Sequence, residues 1–225
     1  MRSRKKTYTQ DVLQNSPFMI KDTEAVTPAT WVKPPFFTQS QPIHLEIGTG
    51  KGNFITGMSN LHPTVNFVGM EREKEIIVMA ARKLEHNQAT QNTSLQNAIL
   101  VHGDASNLNT YFAPASVSRI YLNFSDPWPK SRNAKRRLTY RSFLDIYKGL
   151  LVADGELHFK TDNMGLFDFS LEEFAEKGWQ SIFNTRDLHQ ESFHLEGHNV
   201  TTEYEQRFSD LGQPIYRACY VKPRD

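Results

Sequence analysis

Acidic side chains recur in this chain where an apolar run gives way to a loop. Glu46 stands in IHLEIG, two residues before a glycine-rich stretch, Gly48-Thr49-Gly50-Lys51-Gly52. Glu71 closes VNFVGME, Asp104 follows AILVHG, Asp126 follows RIYLNFS, and Asp162 follows GELHFKT. A carboxylate accepts hydrogen bonds from hydroxyl, ammonium and ring N–H donors, and it stabilises positive charge that develops nearby. Any one of these acids is equally at home as a helix N-cap or a solvated loop residue. Their recurrence at successive run ends is what points to a shared ligand-binding edge.

The glycine stretch has its own chemistry. Gly48, Gly50 and Gly52 can adopt positive φ and let a ligand approach the backbone. A helix starting behind them presents free N–H groups and a positive dipole end. Glu71 lies about 20 residues further on, the spacing at which a carboxylate accepts from ribose hydroxyls. Together these features suggest an adenosine-containing ligand. Dinucleotide folds carry G-x-G-x-x-G, whereas this loop reads G-x-G-x-G. Glu46 would face the phosphates of a dinucleotide, but it could accept from the ammonium of an amino-acid ligand. The loop therefore favours S-adenosylmethionine over NAD, and a nicotinamide-dependent dehydrogenase stays as the competing reading.

Those residues need a scaffold that gathers them. Short apolar runs at 43–48, 65–72, 98–104, 119–129 and 155–163 read as strands, with two later ones near 180–188 and 215–222. Between them, 53–61, 73–86 and 140–151 repeat apolar residues at helical spacing, and Phe167, Leu171 and Phe174 mark a further helix. Strands alternating with helices predict an α/β fold: a mostly parallel central sheet flanked by helices, with ligands at the carboxyl ends of the strands. Residues 1–42 contain several prolines and little periodicity, so they read as an irregular appendage to a single domain over 43–225.

Composition narrows the class. Of 225 residues, 38% are hydrophobic, 23% charged and 12% aromatic, which is unlike a disordered chain. No apolar run is long enough to span a bilayer, and the basic opening lacks the apolar stretch of a secretory signal. A single cysteine, Cys219, excludes an internal disulfide framework and reads as a small buried apolar residue. A cytoplasmic location is expected. His189, His194 and His198 fall close together, but no cysteine or well-spaced acid completes a familiar set, so no metal is expected.

Net charge is only +1, yet Lys130, Arg132, Lys135, Arg136, Arg137 and Arg141 are crowded into one segment without an acid. Such a block is either a polyanion contact or a solvated helix entry. Pro127 and Pro129 stiffen the loop after Asp126. Trp128 between them either stacks on a base or packs beneath the loop.

Read in order, LEIGTGKG (45–52), GMERE (69–73), NFSDPWPK (123–130), KRRL (135–138), KTDN (160–163) and TEYEQRF (202–208) resemble the motifs of bacterial tRNA (guanine-N7-)-methyltransferases. The resemblance covers about 43–222, and DPWPK and TEYE are far more specific than the glycine loop. It implies a Rossmann-like class I methyltransferase fold and transfer of a methyl group from S-adenosyl-L-methionine to N7 of a guanosine in the tRNA variable loop. By motif, Glu46, Gly48, Gly50, Glu71, Asp104 and Asp126 would line the cofactor site. Lys130, Asp162, Thr202, Glu203, Tyr204 and Glu205 would meet the substrate, with Glu205 reading a guanine edge. Arg132, Asn133, Ala134, Lys135, Arg136 and Arg137 would lie on RNA. The implied partner is tRNA, with no required protein partner, no membrane, and a monomer or homodimer as the acting form.

Guanine N7 carries an unprotonated lone pair, so its methylation needs neither a nucleophilic side chain nor an obligatory base. Asp126 is expected to accept from the N–H edge of the guanine and to offset the positive charge of the product. A non-catalytic RNA-binding factor on the same fold is the second rival.

Overall fold

Apolar runs and amphipathic stretches fold into strands and helices close to the expected limits. The computed structural model describes residues 3–20, 31, 37, 39–91, 97–191 and 200–224. The chain forms two compact units, Met1–Ala113 and Pro114–Asp225.

In the first unit, β1 (Ile43–Ile47), β2 (Asn66–Glu71) and β3 (Ala98–His102) pair in parallel, in the order β3-β2-β1. The connections are α2 (Asn53–Leu61) and α3 (Lys74–Gln91), and the short α4 (Leu108–Tyr111) follows β3. Leu45, Val68 and Leu100 are fully buried, as expected of parallel strands covered on both faces. Asn97 ties the amino ends together: its side-chain amide donates to the carbonyls of Ser59, His62 and Val65 at 2.9–3.1 Å.

The lead-in is not simply irregular. Ser3–Asn15 forms α1, which packs on α3; Val12 is buried, and Arg82 donates to the Tyr8 hydroxyl at 3.0 Å. Residues 18–20 then run alongside β3, with Leu100 N–H donating to Phe18 O and Ile20 N–H to Leu100 O. Trp31 stacks on Phe112 at 5.0 Å. The helix escaped detection because α1 offers few apolar residues, and polar SRKKTYTQ hides the period on which a sequence reading depends.

In the second unit, β4 (Val117–Asn123), β5 (Leu151–Thr161), β6 (Gln180–Thr185) and β7 (Tyr216–Val221) follow the order β4-β5-β7-β6. β4 and β5 are parallel, and β7 runs antiparallel to both β5 and β6. The helices α5 (Arg141–Leu150) and α6 (Met164–Glu176) bury Leu144, Tyr147 and Leu150 from one, and Leu166, Phe167 and Phe174 from the other. Phe174 stacks on Tyr220 of β7 at 4.2 Å, and Phe159 on Phe167 at 6.3 Å.

One sheet face of this unit carries a charged cluster. Arg119 pairs with Glu156 at 2.7 Å, Glu156 also meets His158 Nε2 at 2.7 Å, and Arg217 Nη2 faces His158 Nδ1 at 3.4 Å. A donor at Nδ1 puts the ring proton on Nε2, which donates to Glu156. Burial, with Arg119 and Arg217 nearby, pushes the imidazole down to about 4. In the unfolded chain a histidine titrates near 6.5. As pH falls from about 6.5 to about 4, the unfolded state takes a proton that the native state refuses. Stability should drop across that window by up to about 3 kcal/mol. Urea denaturation at a series of pH values checks this, and His158→Gln should flatten the dependence.

Candidate active site at the strand ends

In the first unit, parallel pairing in register aligns the carboxyl ends of β1, β2 and β3, with Glu46 opposite Gly69 and Glu71 opposite His102. The turn after β1 is built by glycines at positive φ: Gly48 at 78°, Gly50 at 57° and Gly52 at 82°. Gly48 and Thr49 both donate to Met70 O, at 2.8 and 3.0 Å. The Glu71 carboxylate accepts from Gly50 N–H at 3.1 Å and from the amides of Arg72 and Glu73 at 2.8 and 3.0 Å. It thereby holds the loop and its own turn in place.

Glu46 is buried and accepts from the Thr49 hydroxyl at 2.6 Å. Asp104 receives the Ser106 amide and hydroxyl on one oxygen, Oδ1, at 2.8 and 2.7 Å. These bonds hold its carboxyl below the usual carboxylate range, so it is ionised at neutral pH. A Cβ added at Gly48 or Gly50 would meet nothing within 4 Å. The space over the loop is open, so positive φ rather than crowding selects glycine there. This acid-lined backbone cradle suits a ligand with an ammonium group and hydroxyls.

In the second unit, Asn123 pairs with Lys160, and Phe124 N–H donates to Lys160 O at 2.9 Å. The loop after β4 is unusual in having two non-glycine residues at positive φ, Phe124 at 53° and Trp128 at 41°. Asp126 between them is exposed. Arg137 staples the loop: Nε donates to Pro127 O at 3.1 Å and Nη2 to Trp128 O at 3.0 Å, while its guanidinium covers the Phe169 ring at 4.2 Å. Arg136 lies over Trp128 at 4.2 Å.

The basic block is therefore divided. Lys130, Arg132 and Lys135 are exposed, Asn133 and Ala134 are half-buried, and all lie in or next to the 3-10 segment Ser131–Arg136. Arg137 was expected on RNA, and two of its nitrogens, Nε and Nη2, are engaged by loop carbonyls. Arg141 was counted in the same block, yet it binds the buried Glu173 carboxylate through its backbone N–H, Nε and Nη2. The sequence shows where charges lie along the chain but not which way they point.

Asp162 is half-exposed after β5, and the N-cap of α6 is its neighbour Asn163, whose side chain accepts from Leu166 N–H at 2.8 Å. The TEYE element opens a helix, α7 (Glu203–Asp210). Thr202 and Glu205 form a capping box, a T-x-x-E signal legible in the sequence and not used there. Glu205 is fully buried, with Oε2 at 2.7 Å from Lys160 Nζ. His189 Nε2 stands 3.6 Å from its other oxygen. Tyr204 points outward, 58% exposed, with its ring 6.2 Å from Phe124. The Glu203 side chain, like His194 and His198, lies outside the described residues. Burial raises the Cys219 thiol above its ordinary range, in keeping with a packing role.

A family model described as "Putative methyltransferase" matches residues 40–218. A tRNA (guanine-N(7)-)-methyltransferase of Brevibacillus brevis is 50% identical over 189 residues, covering 83% of this chain and 85% of the relative. The Bacillus subtilis protein of that name is 45% identical over 218 residues, covering 97% of each. Among solved structures, a 16S rRNA (adenine(1408)-N(1))-methyltransferase of Catenulisporales acidiphilia with cosubstrate SAM superposes with a TM-score of 0.62 at 15% identity, over 93% of this chain and 97% of that one. An antibiotic-related methyltransferase gives a TM-score of 0.61 at 15% identity, over 82% and 89%. These distant structures show the fold, and the near relatives show the lineage: the chain belongs to the tRNA (guanine-N(7)-)-methyltransferase family.

Proposed function

We propose that this chain transfers a methyl group from S-adenosyl-L-methionine to N7 of a guanosine in the variable loop of tRNA, giving 7-methylguanosine. One observation carries the reading: an open glycine cradle at the strand ends, lined by Glu46, Glu71 and Asp104. Gly48 and Gly50 leave room for the donor against the backbone. Glu46 accepts from its ammonium, Glu71 from ribose hydroxyls, and the free side of Asp104 from the N–H edge of the adenine. S-adenosyl-L-methionine supplies an electrophilic methyl group on a sulfonium.

Asp126 accepts from the guanine N–H edge and offsets the charge that builds on the ring. Lys130 and Asp162 hold the nucleotide, and 202–205 present Tyr204 as an aromatic face. Lys130, Arg132, Lys135 and Arg136, with Asn133 and Ala134 between them, meet the phosphate backbone. Phosphate contacts of this kind give affinity without reading sequence. The acting form is a monomer or homodimer in the cytoplasm, with no protein partner required. Among the described residues no helix is long and apolar enough to cross a membrane.

Reversing Arg132 and Lys135 to glutamate should weaken tRNA binding and lower the slope of log affinity against log salt by about 2. Filter binding at several salt concentrations reads this, and an unchanged slope would remove the segment from the RNA contact. The function itself is tested by transfer of labelled methyl to unmodified tRNA. Label in 7-methylguanosine is expected, and label in any other nucleoside would overturn the assignment.

A further inference from the structure

We infer that Lys160 is a positioning residue for methyl transfer, coupling the Asp126 loop to the TEYE helix. The inference rests on the tRNA methyltransferase reading above. Lys160 occupies the penultimate position of β5 and is 3% exposed. Its carbonyl accepts from Phe124 N–H at 2.9 Å, at the root of the loop that carries Asp126. Its ammonium donates in the other direction, to Glu205 Oε2 at 2.7 Å and to Val200 O at 3.3 Å. One residue thus touches both segments proposed to face the base.

Glu205 passes the constraint on. Its Oε2 also accepts from Thr202 N–H at 3.4 Å, and Thr202 Oγ1 accepts from Glu205 N–H at 3.0 Å. The start of α7 is therefore fixed in direction as well as position. Tyr204, between Thr202 and Glu205, is turned outward with its ring at 19° to that of Phe124. Stability alone does not call for this arrangement, because a buried ion pair can usually be replaced by apolar side chains of similar volume without loss. What a charged pair adds is one defined distance and direction.

Kinetics of Lys160→Met test the inference. Misplacement of reacting groups by about 1 Å costs on the order of 100-fold, so turnover should fall by that order. Affinities for S-adenosylhomocysteine and for tRNA should stay within about threefold, since the glycine cradle and the exposed cations are untouched. Lys160→Arg keeps the charge and should recover much of the turnover. A folded Lys160→Met with wild-type turnover overturns the inference. So does a variant that loses donor affinity and melting temperature along with turnover, which would mark a merely structural role. Should Lys160→Met fail to fold, the double variant Lys160→Leu/Glu205→Leu replaces the pair with an apolar one; it is expected to fold and be slow, and wild-type turnover overturns the inference. An active wild type with an active Lys160→Met refutes this inference alone, whereas a wild type inactive on tRNA refutes the functional reading beneath it.

Discussion

Asp126→Asn should lower single-turnover methyl transfer by about 10²–10³, or about 3–4 kcal/mol of transition-state stabilisation, while S-adenosylhomocysteine still binds. The substitution keeps the size of the side chain and one acceptor oxygen. It removes the negative charge and the second acceptor. Guanine N7 brings its own lone pair, so no proton transfer is at stake. What is lost is the carboxylate that meets a ring becoming cationic. Asp126 is exposed, and its loop is held from behind by Arg137 and by the Phe124–Lys160 backbone bond, so the variant should fold normally. A near-normal rate would reject the role.

Gly52→Ala should be the most destabilising small change in the glycine loop. Gly52 sits at φ 82° and is packed against α3, where an added Cβ would lie 2.8 Å from Ala80 Cβ and 2.9 Å from Ala80 Cα. Left-handed backbone costs an alanine about 1–2 kcal/mol, and overpacking adds about 1–3 kcal/mol. A melting temperature lower by about 5–10 °C is expected. Gly48→Ala is the control: it carries the same sign of φ but meets nothing within 4 Å, so only the backbone term applies. Equal melting temperatures for the two variants would show that packing against Ala80 contributes nothing.

The parallel strands were legible because buried parallel strands are rich in apolar residues, as FVGM of β2 and AILV of β3 show, and β1, β2 and β3 fall within a residue or two of the expected limits. The positions of three acids were legible too: Glu46 and Glu71 stand on neighbouring parallel strands in register, and Asp104 follows two residues beyond β3. Other features leave no such trace. Positive φ at Phe124 and Trp128 cannot be read from residue types that normally avoid it. Arg137 and Arg141 looked like part of a surface patch, yet they hold loop carbonyls and Glu173, because direction is settled only by tertiary packing. Glu205 was expected at a guanine edge from the TEYE motif, and its ion pair with Lys160 became visible only in the structure, because no spacing in the sequence links the two.

The most direct test places 7-deazaguanosine at the variable-loop position of an otherwise unchanged tRNA. The substitution deletes the acceptor nitrogen and leaves the N–H edge and every phosphate in place. The modified tRNA should bind like the parent and take up no labelled methyl group, while the parent is methylated at N7. Label recovered in the 7-deazaguanosine tRNA, or refusal of the parent, would contradict N7 as the atom on which this chain acts.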